Sequence, residues 1–131
     1  MAKILVIDDE ALLAKSISLF LTRAGHEVVT AGDGRTGLAA FAHEKPDLVI
    51  TDIVMPVMEG MESIQTLRLQ APDLPIIAMS GGGRTKNPDF LRIAEKLGAT
   101  ATLAKPFAKE ALLTAVARSL ARISSGQQEK A

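Results

Sequence analysis

The sequence predicts a doubly wound α/β sandwich built from five βα units. Two observations carry that prediction: short apolar runs recur along the chain, and a longer segment of helical periodicity follows each. The runs are Ile4 to Ile7, Val28 to Ala31, Leu48 to Thr51, Ile76 to Met79 and Thr100 to Ala104. Each has four or five residues and several are β-branched, as strands covered on both faces require. Right-handed crossovers then place helices on both sides of a parallel sheet.

The intervening segments justify the helices in turn. After the first run, Leu13, Ile17, Phe20, Leu21 and Ala24 recur at helical spacing, and Gly25 supplies a stop. Gly37 to Glu44 makes a second, short helix closed before Pro46. Met61, Ile64 and Leu67 mark a third that ends before Pro72. Phe90, Ile93, Ala94 and Leu97 mark a fourth, with Gly98 as its stop. Leu112, Leu113, Val116, Leu120 and Ile123 mark the last. One domain over 1–123 is expected, followed by a polar, disordered tail over 124–131.

Composition narrows the function classes. Lys plus Arg and Asp plus Glu both number 15, so the formal charge is zero and no global field draws nucleic acid or anionic lipid. Cysteine is absent, which excludes disulfides and thiolate chemistry and suits a reducing cytoplasm. The apolar run in MAKILVIDDE meets acid after four residues, too short for a signal or a membrane span. A cytoplasmic protein with neither nucleic-acid nor membrane partners is the expectation.

In doubly wound folds, ligands sit at the carboxyl ends of the strands. Those ends carry Asp8 and Asp9 after the first run, Asp52 after the third, Ser80 after the fourth and Lys105 after the fifth. Taken singly, each has an ordinary explanation: an Asp as helix cap, a Ser in a turn, a Lys in solvent. Jointly they bring three carboxylates, a hydroxyl and an ammonium to one edge. Three close carboxylates resist full ionisation, and Lys105 offsets one charge. A divalent cation resolves the excess, and an all-oxygen donor set selects a hard ion such as Mg²⁺. The set suits a phosphoryl group, with Asp52 as nucleophile and the metal, Lys105 and Ser80 on its oxygens.

These residues lie in motifs that resemble the receiver domain of two-component response regulators. The motifs are VIDDE (6–10), TDIVMPVMEGME (51–62), AMSGG (78–82) and AKPF (104–107), and the resemblance runs from Lys3 to about Ile123. It implies a flavodoxin-like, CheY-like sheet of order 2-1-3-4-5 and a phosphoacceptor at Asp52. It further implies Asp9 as direct Mg²⁺ ligand, Asp8 acting through a metal-bound water, and the Val54 backbone carbonyl completing the shell. Ser80 takes the place of the hydroxyl residue that moves towards the phosphoryl group, and Lys105 that of its lysine partner. The bond from Lys105 to Pro106 is implied to be cis. Glu10 reads as a residue standing behind the metal ligands, or as a charge complementing the first helical turn. Pro56 and Gly60 bracket a tight connection, with Gly60 in a backbone conformation closed to other residues. Met55, Met58 and Met61 read as partly packed positions, and His26 and His43 as surface residues.

Three features depart from the family pattern. Thr102 stands where an aromatic usually swings inward on activation. Val54 and Gly82 stand where polar side chains often influence attack by water. The segment around Gly81, Gly82 and Gly83 is longer than usual.

The expected function is a stand-alone receiver in a phosphorelay, since eight residues follow Ile123. A histidine kinase or histidine phosphotransfer protein donates to Asp52. The signal leaves by protein contact through the face of the fourth helix, fifth strand and fifth helix. Such a protein is not an enzyme beyond its own phosphorylation and dephosphorylation. The alternative is a pseudo-receiver that binds partners without phosphorylation. An aspartyl-phosphate hydrolase is disfavoured because Val54 replaces the second Asp. A flavodoxin-like nucleotide binder is disfavoured because DDE replaces a Ser/Thr/Gly cradle.

Overall fold

The computed structural model describes residues 2–53, 59–81, 89–105 and 107–130. Five strands alternate with five helices: β1 (Lys3–Ile7), α1 (Ala11–Arg23), β2 (Glu27–Ala31), α2 (Gly34–Glu44), β3 (Leu48–Asp52), α3 (Glu59–Gln70), β4 (Ile76–Gly81), α4 (Asp89–Leu97), β5 (Ala101–Lys105) and α5 (Lys109–Lys130). The strands pair in parallel in the order β2-β1-β3-β4-β5, as expected.

Strand alternation builds two cores, one on each face of the sheet. Ile4 and Val6 of β1 join Leu48 and Ile50 of β3 beneath Ile17 and Leu21 of α1 and Leu112 and Val116 of α5. Leu5 and Ile7 point the other way, with Val49, Ile64 and Leu67 of α3 and Ala94 of α4. β1 and β3 are buried on both faces, apart from the half-buried Lys3. The edge strand β2 is not. Each fully buried Ile or Leu contributes about 1.5–3 kcal/mol, which anchors the strands whose ends carry the acids.

The helix ends explain where the sequence reading was accurate and where it missed. Gly25 (φ 99°) and Gly98 (φ 122°) are left-handed stops, as read. The bonds Gly25 N to Thr22 O and His26 N to Leu21 O close α1 with a Schellman turn, and Gly98 N to Glu95 O and Ala99 N to Ala94 O close α4 likewise. α2 begins three residues before Gly37, because Asp33 and Thr36 form a capping box in which Thr36 N donates to Asp33 Oδ1 at 2.7 Å. It ends on Lys45 in a left-handed conformation (φ 50°) just before Pro46.

One expectation is corrected. Gly60 lies inside the first turn of α3, so helical backbone replaces the expected turn conformation. The helix α5 is assigned as far as Lys130, over most of the 124–131 segment read as a polar tail.

At the opposite edge from the acids, Arg68 ties two helix ends together. Its Nη1 donates to Ala71 O (3.0 Å) and Pro72 O (2.7 Å) beyond α3. Its Nε and Nη2 donate to Gly98 O beyond α4 at 3.1 and 2.6 Å.

Candidate functional site

The site forms where β1, β3 and β5 end. Asp52 is the last residue of β3 and Lys105 the last of β5, each one position earlier relative to its strand end than expected. Asp8 follows β1 directly and is held in register by its N–H, which donates to Ala31 O at 3.0 Å. The Ile53 N–H donates to Met79 O at 2.9 Å and fixes the chain just past Asp52. Rigid strands thus set the separation of the charges.

Asp8 and Asp52 are buried, at 2% and 3% exposure, whereas Asp9 is exposed. Lys105 Nζ lies 3.0 Å from Asp52 Oδ2 and 3.2 Å from Asp8 Oδ2. The other Asp8 oxygen, Oδ1, accepts the Glu10 N–H at 2.8 Å, an Asx turn that leads the chain into α1. Burial holds the Asp8 carboxyl above its usual range, and repulsion from Asp52 adds to it. The Glu10 N–H and Lys105 oppose that rise without cancelling it. Burial alone would lower the Lys105 ammonium, but its bonds to Asp52 and Asp8 prevail and raise it.

One oxygen from each of Asp8, Asp9 and Asp52 lies within 4.8 Å of the others. Three carboxylates facing one ammonium leave an excess of negative charge that a divalent cation suits. The donors are all oxygen, which fits Mg²⁺ and not zinc.

The remaining site residues divide by what the structure describes. Ser80 sits in β4, its backbone in register with Ala104, so it reaches the same edge. Its side chain, the Val54 carbonyl, the Pro106 peptide bond and the Gly82–Gly83 segment lie outside the described residues, as do Met55, Pro56 and Met58. Thr102 is half-buried on β5 beside Ala101, and both line a groove of 430 Å³ with Glu110, Ala111, Thr114, Ala115 and Arg118 of α5. His26 and His43 lie away from the site: Ala2 N donates to His26 Nδ1 at 3.2 Å, and His43 is 84% exposed.

The sequence pointed to Glu10 as standing behind the site or charging the first helical turn, but not to its partner. Glu10 is the N-cap residue of α1, but its side chain makes no capping bond. Its Oε1 lies 3.8 Å from Lys105 Nζ instead. The adjacency DDE was the available signal, but which of three consecutive acids faces a distant lysine depends on the turn between them.

A sheet of this order with this acid-and-lysine edge defines a CheY-like domain. The family model for the response regulator receiver domain matches residues 4–117, and the chain belongs to that family, the receivers of two-component signalling. Among curated relatives, the alkaline phosphatase synthesis transcriptional regulatory protein PhoP of Bacillus subtilis is 36% identical over 106 residues, 80% of this chain and 42% of that protein. The transcriptional regulatory protein GlrR of Escherichia coli K12 is 34% identical over 98% of this chain and 28% of its own length. The chain therefore spans well under two thirds of these relatives. Among solved structures, the chemotaxis response regulator CheY4 of Vibrio cholerae superposes with a TM-score of 0.81 at 37% identity, covering 92% of this chain and 99% of that one. NtrX of Brucella abortus gives 0.89 at 31% identity, covering 98% of this chain and 28% of that one. Among the described residues, no helix is long and apolar enough to cross a membrane.

Proposed function

We propose that Asp52 is the phosphoacceptor of this receiver, taking a phosphoryl group from the phosphohistidine of a kinase or phosphotransfer protein. The observation that carries this is Asp52 itself: buried at the end of a central strand, 3.0 Å from the Lys105 ammonium and within the acidic cluster. In the transfer, a carboxylate oxygen of Asp52 forms the new P–O bond while the P–N bond to the donor histidine breaks. Asp8, Asp9, Asp52 and the Val54 carbonyl would hold Mg²⁺, which when bound neutralises charge on the phosphoryl oxygens. Lys105 follows the charge from the Asp52 carboxylate onto the phosphoryl group, and Ser80 at the neighbouring strand end donates to it. The domain acts on no separate substrate; it promotes only its own phosphorylation and dephosphorylation.

The signal shifts an equilibrium between two surfaces. The face of α4, β5 and α5 is the proposed output contact, with Thr102 and its groove in place of an aromatic switch. A stand-alone form is proposed because the match covers 99% of the CheY4 chain, and the mass of the endogenous protein on an immunoblot tests it; a cytoplasmic location is proposed from the absence of cysteine, and cell fractionation tests it. Thr102 also favours a second reading, a phosphorylation-independent interaction module.

Titration with beryllofluoride and Mg²⁺, followed by NMR chemical shifts, tests the proposal. Shifts at the strand ends and on the β5–α5 face that vanish in Asp52→Ala and in Asp9→Ala are expected. Persistence of the response in both variants overturns the site. No response in the native chain, together with partner binding that survives Asp52→Ala, favours the second reading.

A further inference from the structure

Three consecutive acids leave β1, and the structure divides them. Asp8 and Asp9 belong, with Asp52, to the group whose oxygens lie within 4.8 Å of one another, and Glu10 does not belong to that group. Glu10 Oε1 faces Lys105 at 3.8 Å, too long for a hydrogen bond but within ion-pair range. The Lys105 side chain is 8% exposed, whereas Glu10 is 64% exposed and has room to move.

We propose that Glu10 is a positioning residue for Lys105, receiving its ammonium when a divalent cation takes the Asp8 and Asp52 oxygens. This inference rests on the proposed reading that the acidic cluster binds a metal. The physical reason is a competition. Lys105 Nζ bonds the same two carboxylates, at 3.0 and 3.2 Å, that a cation in the cluster would engage. Drawing those oxygens towards a cation weakens both bonds and leaves a largely buried ammonium beside a positive ion. An unpaired buried charge is costly, so cation binding is opposed unless the lysine keeps a partner. Glu10 is anchored by its own N–H to Asp8 Oδ1, which holds its backbone at the site while its side chain stays free to close the remaining gap. Its carboxylate thereby lowers the cost of admitting the cation without contributing a ligand to it.

Mn²⁺ binding to the purified full chain, measured by calorimetry and by electron paramagnetic resonance, tests this. Glu10→Gln is expected to raise the Mn²⁺ Kd about threefold to fivefold, the scale of an ion pair with one exposed partner. Glu10→Asp keeps the charge but shortens the reach, and is expected to weaken binding as Glu10→Gln does. In a Lys105→Met background, adding Glu10→Gln is expected to change the Kd no further. Where the native chain binds Mn²⁺, three outcomes overturn the inference: a native Kd in Glu10→Gln, a native Kd in Glu10→Asp, or an undiminished Glu10→Gln effect without the lysine. The first means that Glu10 is idle, the second that its charge acts at a distance, and the third that it acts on the metal directly. A native chain that binds no Mn²⁺ overturns the metal reading and this inference with it. Native binding with an unchanged Glu10→Gln variant overturns this inference alone.

Discussion

Lys105 Nζ on β5 and Asp52 Oδ2 on β3 lie 3.0 Å apart, although they are 53 positions apart in the chain and the whole of β4 lies between their strands. The lysine therefore braces the sheet edge as well as balancing its charge. Lys105→Met leaves two buried carboxylates without their cation. A loss of about 3 kcal/mol is expected in urea unfolding at neutral pH with chelator, the low end for breaking a buried pair because Asp8 can take a proton. A loss below about 1 kcal/mol on the same scale would show that solvent already screens the pair.

Asp8 carries the opposite sign. Its folded pKa lies above the ordinary 3.8, so its contribution to stability is present below that value and lost as pH rises through the folded value. At neutral pH without metal the ionised group is a burden. Asp8→Asn is expected to be more stable than the native chain by about 1 kcal/mol in chelator, yet weaker in Mn²⁺ binding. Equal stability at pH 7 and pH 4 relative to the native chain would contradict this.

His26 accepts the Ala2 N–H, and burial holds its pKa below 6.5. Here the folded pKa is depressed, so stability is present above about 6.5 and lost as pH falls through the folded value. His26→Gln keeps an acceptor and cannot become charged. The variant is expected to gain stability relative to the native chain as pH falls from 7 to 5, read by thermal unfolding at each pH. A constant difference across that range would exclude His26 as the source.

Gly37 gives a test of packing behind the site. A Cβ there would meet Ile7 Cδ1 at 2.5 Å and Cγ1 at 2.8 Å, and Ile7 is fully buried one residue before Asp8. Gly37→Ala gains about 1 kcal/mol of helix propensity but overpacks a stiff β-branched residue at about 1–3 kcal/mol. A net loss near 1 kcal/mol is expected, with amide shifts at Asp8. Adding Ile7→Val, which removes Cδ1, should recover part of it, and a strictly additive double mutant would refute the contact.

Most of the fold, and the placement of Asp8, Asp52 and Lys105 together, were legible because they depend on local signals. Branched apolar runs specify Ile4 to Ile7 and Leu48 to Thr51 as buried strands, and strand topology alone then brings Asp8, Asp52 and Lys105 to one edge. Gly25 and Gly98 announced their stops through the backbone conformation that glycine favours. What escaped the sequence depended on side-chain reach or on competition between neighbours. The start of α2 moved because Asp33 and Thr36 cap each other, and Gly60 became helical because α3 begins at Glu59. Glu10 resembles any first-turn acid until the Asx turn at Asp8 directs it towards a lysine 95 positions away (105 − 10).

Arg68 gives the far edge a mechanical meaning. By gripping Ala71, Pro72 and Gly98 together, one guanidinium clamps the tails of α3 and α4 to each other. A clamped tail turns displacement of the opposite end into a swing about a fixed pivot. When the acid edge gains charge, backbone movement along α3 is expected to shrink steadily from Glu62 towards Gln70, as residual dipolar couplings would record. In Arg68→Ala that gradient should flatten, because the helix would then slide instead of pivoting.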